Sequence, residues 1–124
     1  MDSADATTVP PLIAAVFAAD ANHDTEAFLA LLTPDAAFHF AGLPPAVGRE
    51  AVRESVQHFF DATSEIRHEL VVAFRNGDTM AWEGRVHMVF HDGRVLDIPY
   101  ANVVRLAGDL VADYRIYLDR SVLA

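Results

Sequence analysis

Cysteine is absent, so disulfides, thiolate nucleophiles, iron–sulfur clusters and thiolate zinc sites are closed to this chain. Lysine is absent as well. All nine basic residues are arginines, which removes amine Schiff-base catalysis and the lysine of a phosphate-binding loop. Positive charge is scarce overall: 18 acidic residues against 9 basic ones leave a net −9, which repels nucleic-acid backbones and anionic membranes, so neither is an expected partner. No apolar run approaches the ~18–20 residues of a membrane-spanning helix. The opening Met1-Asp2-Ser3-Ala4-Asp5 puts no positive charge before the first apolar stretch, which makes a cytoplasmic location the expectation. None of the serines sits in a Gly-x-Ser-x-Gly elbow. What remains is acid–base chemistry or the binding of a small molecule, with no cofactor and no metal expected.

What is present suits one globular domain. The 124 residues are 52% hydrophobic and 22% charged, enough for a self-contained core and too few for two. A single domain over 1–124 is expected, with 1–8 a flexible tail. Pro10-Pro11 opens a helix carrying Leu12, Ile13, Val16 and Phe17 at helical spacing, ending near Asp20–His23. A second helix starts at a cap on Asp24 or Thr25, runs through Phe28, Leu29, Leu31 and Leu32, and stops at Thr33-Pro34. Ala36–Phe40 reads as a strand, the Gly42–Gly48 segment as a loop, and Arg49–Ala62 as a third amphipathic helix through Val52, Val56, Phe59 and Phe60. From Ser64 the period drops to two. Strands near 65–75, 79–91, 95–107 and 110–119 are separated by short turns at Asn76-Gly77-Asp78, His91-Asp92-Gly93 and Ala107-Gly108-Asp109, the signature of an antiparallel meander. The fold class is α+β, with three N-terminal helices covering one face of a mostly antiparallel sheet.

The order of these elements, the segment Gly42-Leu43-Pro44-Pro45-Ala46-Val47-Gly48-Arg49-Glu50-Ala51-Val52, and the closing Asp113-Tyr114-Arg115-Ile116-Tyr117-Leu118-Asp119 resemble the SnoaL-like branch of the nuclear transport factor 2-like superfamily. The resemblance covers nearly the whole chain. It implies helices packed in the concave face of a curved sheet, a cone whose cavity takes a small apolar organic ligand, and a homodimer formed through the convex face. Through Leu43-Pro44-Pro45 and Gly48-Arg49 the chain is most similar to limonene epoxide hydrolase, yet the water-holding tyrosine and asparagine of that enzyme fall on Phe38 and Phe40. Its arginine is kept as Arg85, and its two carboxylates become His87 and Ile116. Laid on ketosteroid isomerase, the general-base aspartate falls on Phe40, the oxyanion-hole tyrosine near Val16 and the protonated aspartate on Asn102.

Side chains two apart share a strand face. In 80–90, Met80, Trp82, Val86, Met88 and Phe90 form one set, and Ala81, Glu83, Arg85, His87 and Val89 the other. Alternation alone makes the second set the wet face. The resemblance turns it inward, making His87 the acid–base candidate, with Arg85 and Asn102 stabilising an oxyanion. The expected ligand-binding wall is Phe17, Phe38, Phe40, Phe59, His68, Glu83, Tyr100 and Ile116, aromatic and aliphatic with few polar groups. His87 and His91 would stand ~13 Å apart on a strand, too far to share a metal. Two functions remain open: a cofactor-independent isomerase, cyclase or hydrolase, and a ligand-binding or assembly protein that keeps the pocket without the family's catalytic groups.

Overall fold

The structure is a computed structural model that describes residues 9–123; the expected N-terminal tail, 1–8, lies outside the described residues. Three helices, α1 (Pro11–Ala21), α2 (Thr25–Leu29) and α3 (Arg49–Ala62), cover a six-stranded sheet. Its strands are β1 (Leu32–Phe40), β2 (Ala46–Val47), β3 (Thr63–Asn76), β4 (Thr79–Phe90), β5 (Val95–Ala107) and β6 (Leu110–Tyr117), in the order β2-β1-β6-β5-β4-β3. Among the described residues only the β1–β6 pair is parallel; the other strand pairs are antiparallel, and a short 3₁₀ turn, Arg120–Leu123, closes the described chain. No helix of the described residues is long and apolar enough to cross a membrane.

Each helix buries one stripe: Ile13, Val16 and Ala19 on α1, Phe28 and Leu29 on α2, and Val52, Val56 and Phe60 on α3. Asp24 caps α2 by accepting from the Ala27 N–H, while α3 begins at Gly48, whose φ of 88° only glycine adopts without strain. Arg49 then donates from Nη2 to the Leu32 carbonyl at 2.6 Å, tying the start of α3 to the start of β1.

Three expectations are corrected. The second helix ends at Leu29, and Leu32 already pairs with Val111 of β6, so β1 begins four residues before Ala36. Pro34 does not block this. It sits exposed in the register shift between Leu32 and Ala37, an irregularity of the kind that tolerates proline within a sheet. Strict alternation in β3 groups Val72 with Ile66, His68 and Leu70 on the inner face, but a register shift between Leu70 and Val72 leaves the first three facing the helices and turns Val72 outward.

The third correction matters most. Met80, Trp82, Gly84, Val86, Met88 and Phe90 are the buried face of β4, and Glu83, Arg85 and His87 stand on the outer wall. Apolar transfer decides it: that strand buries five large apolar side chains only this way, whereas the reverse register would put an arginine, a glutamate and a histidine into hydrocarbon. His87 Nδ1 instead meets Asp97 Oδ1 at 2.9 Å on that outer wall, and Arg85 Nη2 reaches the Asp97 carbonyl at 3.4 Å.

Candidate functional site

Between the helices and the inner sheet face lies a cavity of about 690 Å³, within the ~300–1,000 Å³ of small-molecule sites. Of the expected site residues, Phe38, Phe40, Phe59, His68, Tyr100, Asn102 and Ile116 all line it. Glu83, Arg85 and His87 do not, for the reason just given. Phe17 stands behind the wall, its ring flat on the His68 imidazole with centroids 4.6 Å apart and planes within 5°. At the deep end Phe28, Phe38 and Tyr114 pack with centroids 5.4–5.9 Å apart. Glu54 and His58 of α3 are exposed at the rim.

The polar groups in this apolar wall form two connected sets. Asp20, near the C-terminal end of α1, lies with its Oδ2 2.7 Å from His68 Nε2; on the other side of the ring His68 Nδ1 is 2.8 Å from the Tyr100 hydroxyl. Three elements converge here, α1, β3 and β5, with side-chain exposure of only 18% at Asp20 and 9% at His68. A carboxylate can only accept, so Nε2 carries the proton toward Asp20. Nδ1 of the neutral ring is then the acceptor for the Tyr100 O–H, and once the ring is protonated the direction of that second bond reverses.

The second set is Asn102, whose Nδ2 donates to the Tyr114 hydroxyl at 2.9 Å. Burial pushes both phenols well above the usual tyrosine range, and the negative Asp20 adds to this in each. Around Tyr100 the Trp82 indole opposes the rise, although its Nε1 closes no hydrogen bond of normal geometry. Both hydroxyls therefore keep their protons at neutral pH.

Asp20, Tyr114 and Trp82 were not among the expected site residues. Asp20 carried a signal: it falls four residues after Val16 and seven after Ile13, an acid on the stripe that helix α1 buries. Tyr114 shares inner parity with Ile116. Trp82 follows from the corrected face of β4.

A helix-filled, mostly antiparallel sheet cone around an apolar cavity is the nuclear transport factor 2-like, ketosteroid isomerase-like class of fold. Within that class the chain belongs to the SnoaL-like domain family, whose model matches residues 13–114. No curated protein matches it in sequence. Similar solved structures include a ketosteroid isomerase-like fold protein from Catenulispora acidiphila in complex with trimethylamine (TM-score 0.82, 19% identity, 90% of this chain and 88% of that one). A candidate polyketide cyclase from Xanthomonas campestris pv. campestris gives 0.78 and 23%, with 90% of each chain covered. A limonene epoxide hydrolase-like (LEH-like) epoxide hydrolase of M. tuberculosis gives 0.75 and 14%, covering 89% of this chain and 81% of its own. At these identities the likeness is one of fold.

Proposed function

We propose that this protein is a cofactor-independent acid–base enzyme, an isomerase or cyclase, that moves a proton within a small uncharged apolar molecule held in the cone. The observation that carries this reading is the unbroken Asp20–His68–Tyr100 chain opening on the cavity. Both imidazole nitrogens are occupied, so Tyr100 is the group that meets the substrate. As its oxygen accepts the substrate's acidic proton, its own proton passes to His68 Nδ1, and Asp20 steadies the imidazolium that results. The reverse transfer delivers the proton to a second atom of the substrate, leaving the chain as it began. Tyr114, held by Asn102, keeps its proton for the oxyanion that develops. This role for Asn102 replaces the direct one expected beside His87.

The charge inside supports an uncharged substrate. Among the described residues the only formally charged groups on the cavity wall are Asp20 and Glu54, and no arginine lines it, so a carboxylate or phosphate would meet repulsion in a poorly screened space. That a protein of the same fold is found with trimethylamine accords with a cavity open to small uncharged or cationic molecules.

The test is hydrogen exchange in D₂O on a panel of cyclic β,γ-unsaturated ketones and 1,3-diketones, read by mass spectrometry. The wild type accelerates exchange at the α-carbon, and His68→Gln and Tyr100→Phe each lower the rate by about 10²-fold or more. Variants that exchange as fast as wild type overturn the reading. A second reading, a non-catalytic carrier, is favoured by Phe38, Phe40 and Ile116 in the cavity wall. It predicts that the same compounds bind and raise the melting temperature while no proton exchanges.

We further propose a homodimer through the outer sheet face, where Val72, Phe74 and Tyr117 are exposed among charges of both signs, including Arg85, Arg105, Glu83 and Asp97.

A further inference from the structure

Strand β4 lies between β3 and β5, so His68 on β3 and Tyr100 on β5 are anchored two strands apart, ~10 Å at ordinary sheet spacing. They are also out of line: His68 pairs with Val86 and Tyr100 with Gly84. Their side chains nevertheless meet at 2.8 Å, which requires the Tyr100 ring to lean over β4. Every other inward position of that strand carries a large side chain, Met80, Trp82, Val86, Met88 and Phe90; position 84 alone carries none. A Cβ placed there would lie 2.7 Å from the Tyr100 hydroxyl oxygen, 2.9 Å from its Cε1 and 2.8 Å from the Glu69 carbonyl oxygen. Glycine in a strand interior weakens it, and one common reason for its presence is the close approach of another group. The turn glycines have positive φ, whereas Gly84 does not. Space, and not backbone conformation, is what this glycine supplies.

We infer that Gly84 is a positioning residue: the missing side chain is the passage through which Tyr100 reaches His68, and any side chain at 84 uncouples the two. The inference rests on Tyr100 and His68 forming the proton path proposed above. Its test needs no substrate, so its failure is distinct from a failure to find activity.

The experiment uses the full chain labelled with ¹⁵N-histidine and compares wild type, Gly84→Ala, Tyr100→Phe and the double variant by NMR across a pH series. His68 loses its Nδ1 partner in Tyr100→Phe. The expected result is that Gly84→Ala moves the His68 ring-nitrogen resonances in the same direction as Tyr100→Phe, and that the double variant moves them no further than Tyr100→Phe alone. His39, elsewhere in the sheet and paired with Asp113, serves as the internal control and stays in place. A folded Gly84→Ala with the wild-type His68 spectrum overturns the inference, as does an effect that adds fully to that of Tyr100→Phe. Should Gly84→Ala fail to fold, Gly84→Ala/Tyr100→Val removes the ring. Recovery of the folded state then identifies the ring contact as the cause, whereas continued misfolding assigns the glycine to the Glu69 carbonyl and overturns the inference.

Discussion

The Phe17 ring lies parallel to the His68 imidazole at 4.6 Å, so the histidine is gripped on its face by α1 and at both nitrogens by Asp20 and Tyr100. Helix α1 supplies both the stacking partner and the carboxylate from positions three apart, on neighbouring turns of one face. These three contacts hold Nδ1 toward Tyr100 and Nε2–H toward Asp20, the orientation that the proposed proton transfer at Nδ1 requires.

Replacing Phe17 with leucine keeps an apolar side chain but removes the stack. The expected cost is about 0.5–1.5 kcal/mol of stability, measured by urea denaturation. A broadened or doubled His68 ring resonance should accompany it as the imidazole gains freedom.

His87→Ala and Arg85→Ala alter the outer wall, on the face of β4 away from the cavity. Each should leave ligand-induced thermal shifts unchanged and alter stability by no more than about 0.5 kcal/mol. A loss of ligand response in either variant would mean that the buried face of β4 has been misassigned.

Most of the architecture was legible because periodicity reports burial directly. The limits of α3, β4 and β5 follow from where apolar spacing changes and where turns interrupt it. Pro34 misled because proline breaks helices far more often than it sits in a register shift, and nothing local announces that β1 will pair in parallel with a strand some eighty residues on. The candidate site was half legible. His68, Tyr100 and Asn102 follow from strand parity, whereas likeness to an epoxide hydrolase points to His87, against the plain alternation of Met80, Trp82, Val86, Met88 and Phe90 that places it on the outer face. Asp20 was hidden by its place at a helix end, where an acid usually means solvent. Its partner stands forty-eight residues away on another element, a distance that no local pattern spans.

The outer sheet face yields a prediction about assembly. Phe74 is 66% exposed and pairs across the sheet with Ala81, leaving an apolar surface on a chain that otherwise repels its copies with −9 charges. Phe74→Glu should convert a dimer into a monomer in sedimentation velocity over a dilution series, with the cavity's ligand response intact in the monomer. A wild type that sediments as a monomer at every concentration would remove the dimer.

Asp113 gives the fold a pH dependence whose sign can be worked out. Burial works against its ionisation, but Arg115 Nε at 2.7 Å and His39 Nε2 at 3.1 Å outweigh it and hold the carboxyl below its ordinary 3.8. A folded-state pKa below the unfolded one means that the native state binds its proton later. The resulting stabilisation is complete above the unfolded value and disappears as pH falls through the folded one. Of the bonds at stake, His39–Asp113 joins the parallel pair β1–β6, where His39 sits directly opposite Arg115, while Arg115–Asp113 lies within β6. Urea denaturation of wild type and Asp113→Asn from about pH 7 down to about pH 2 should therefore show a wild-type advantage that is constant to about pH 5 and shrinks steadily below it. An advantage that persists undiminished at the acid end would mean that Asp113 holds the two strands by shape and hydrogen bonding alone, with its charge contributing nothing.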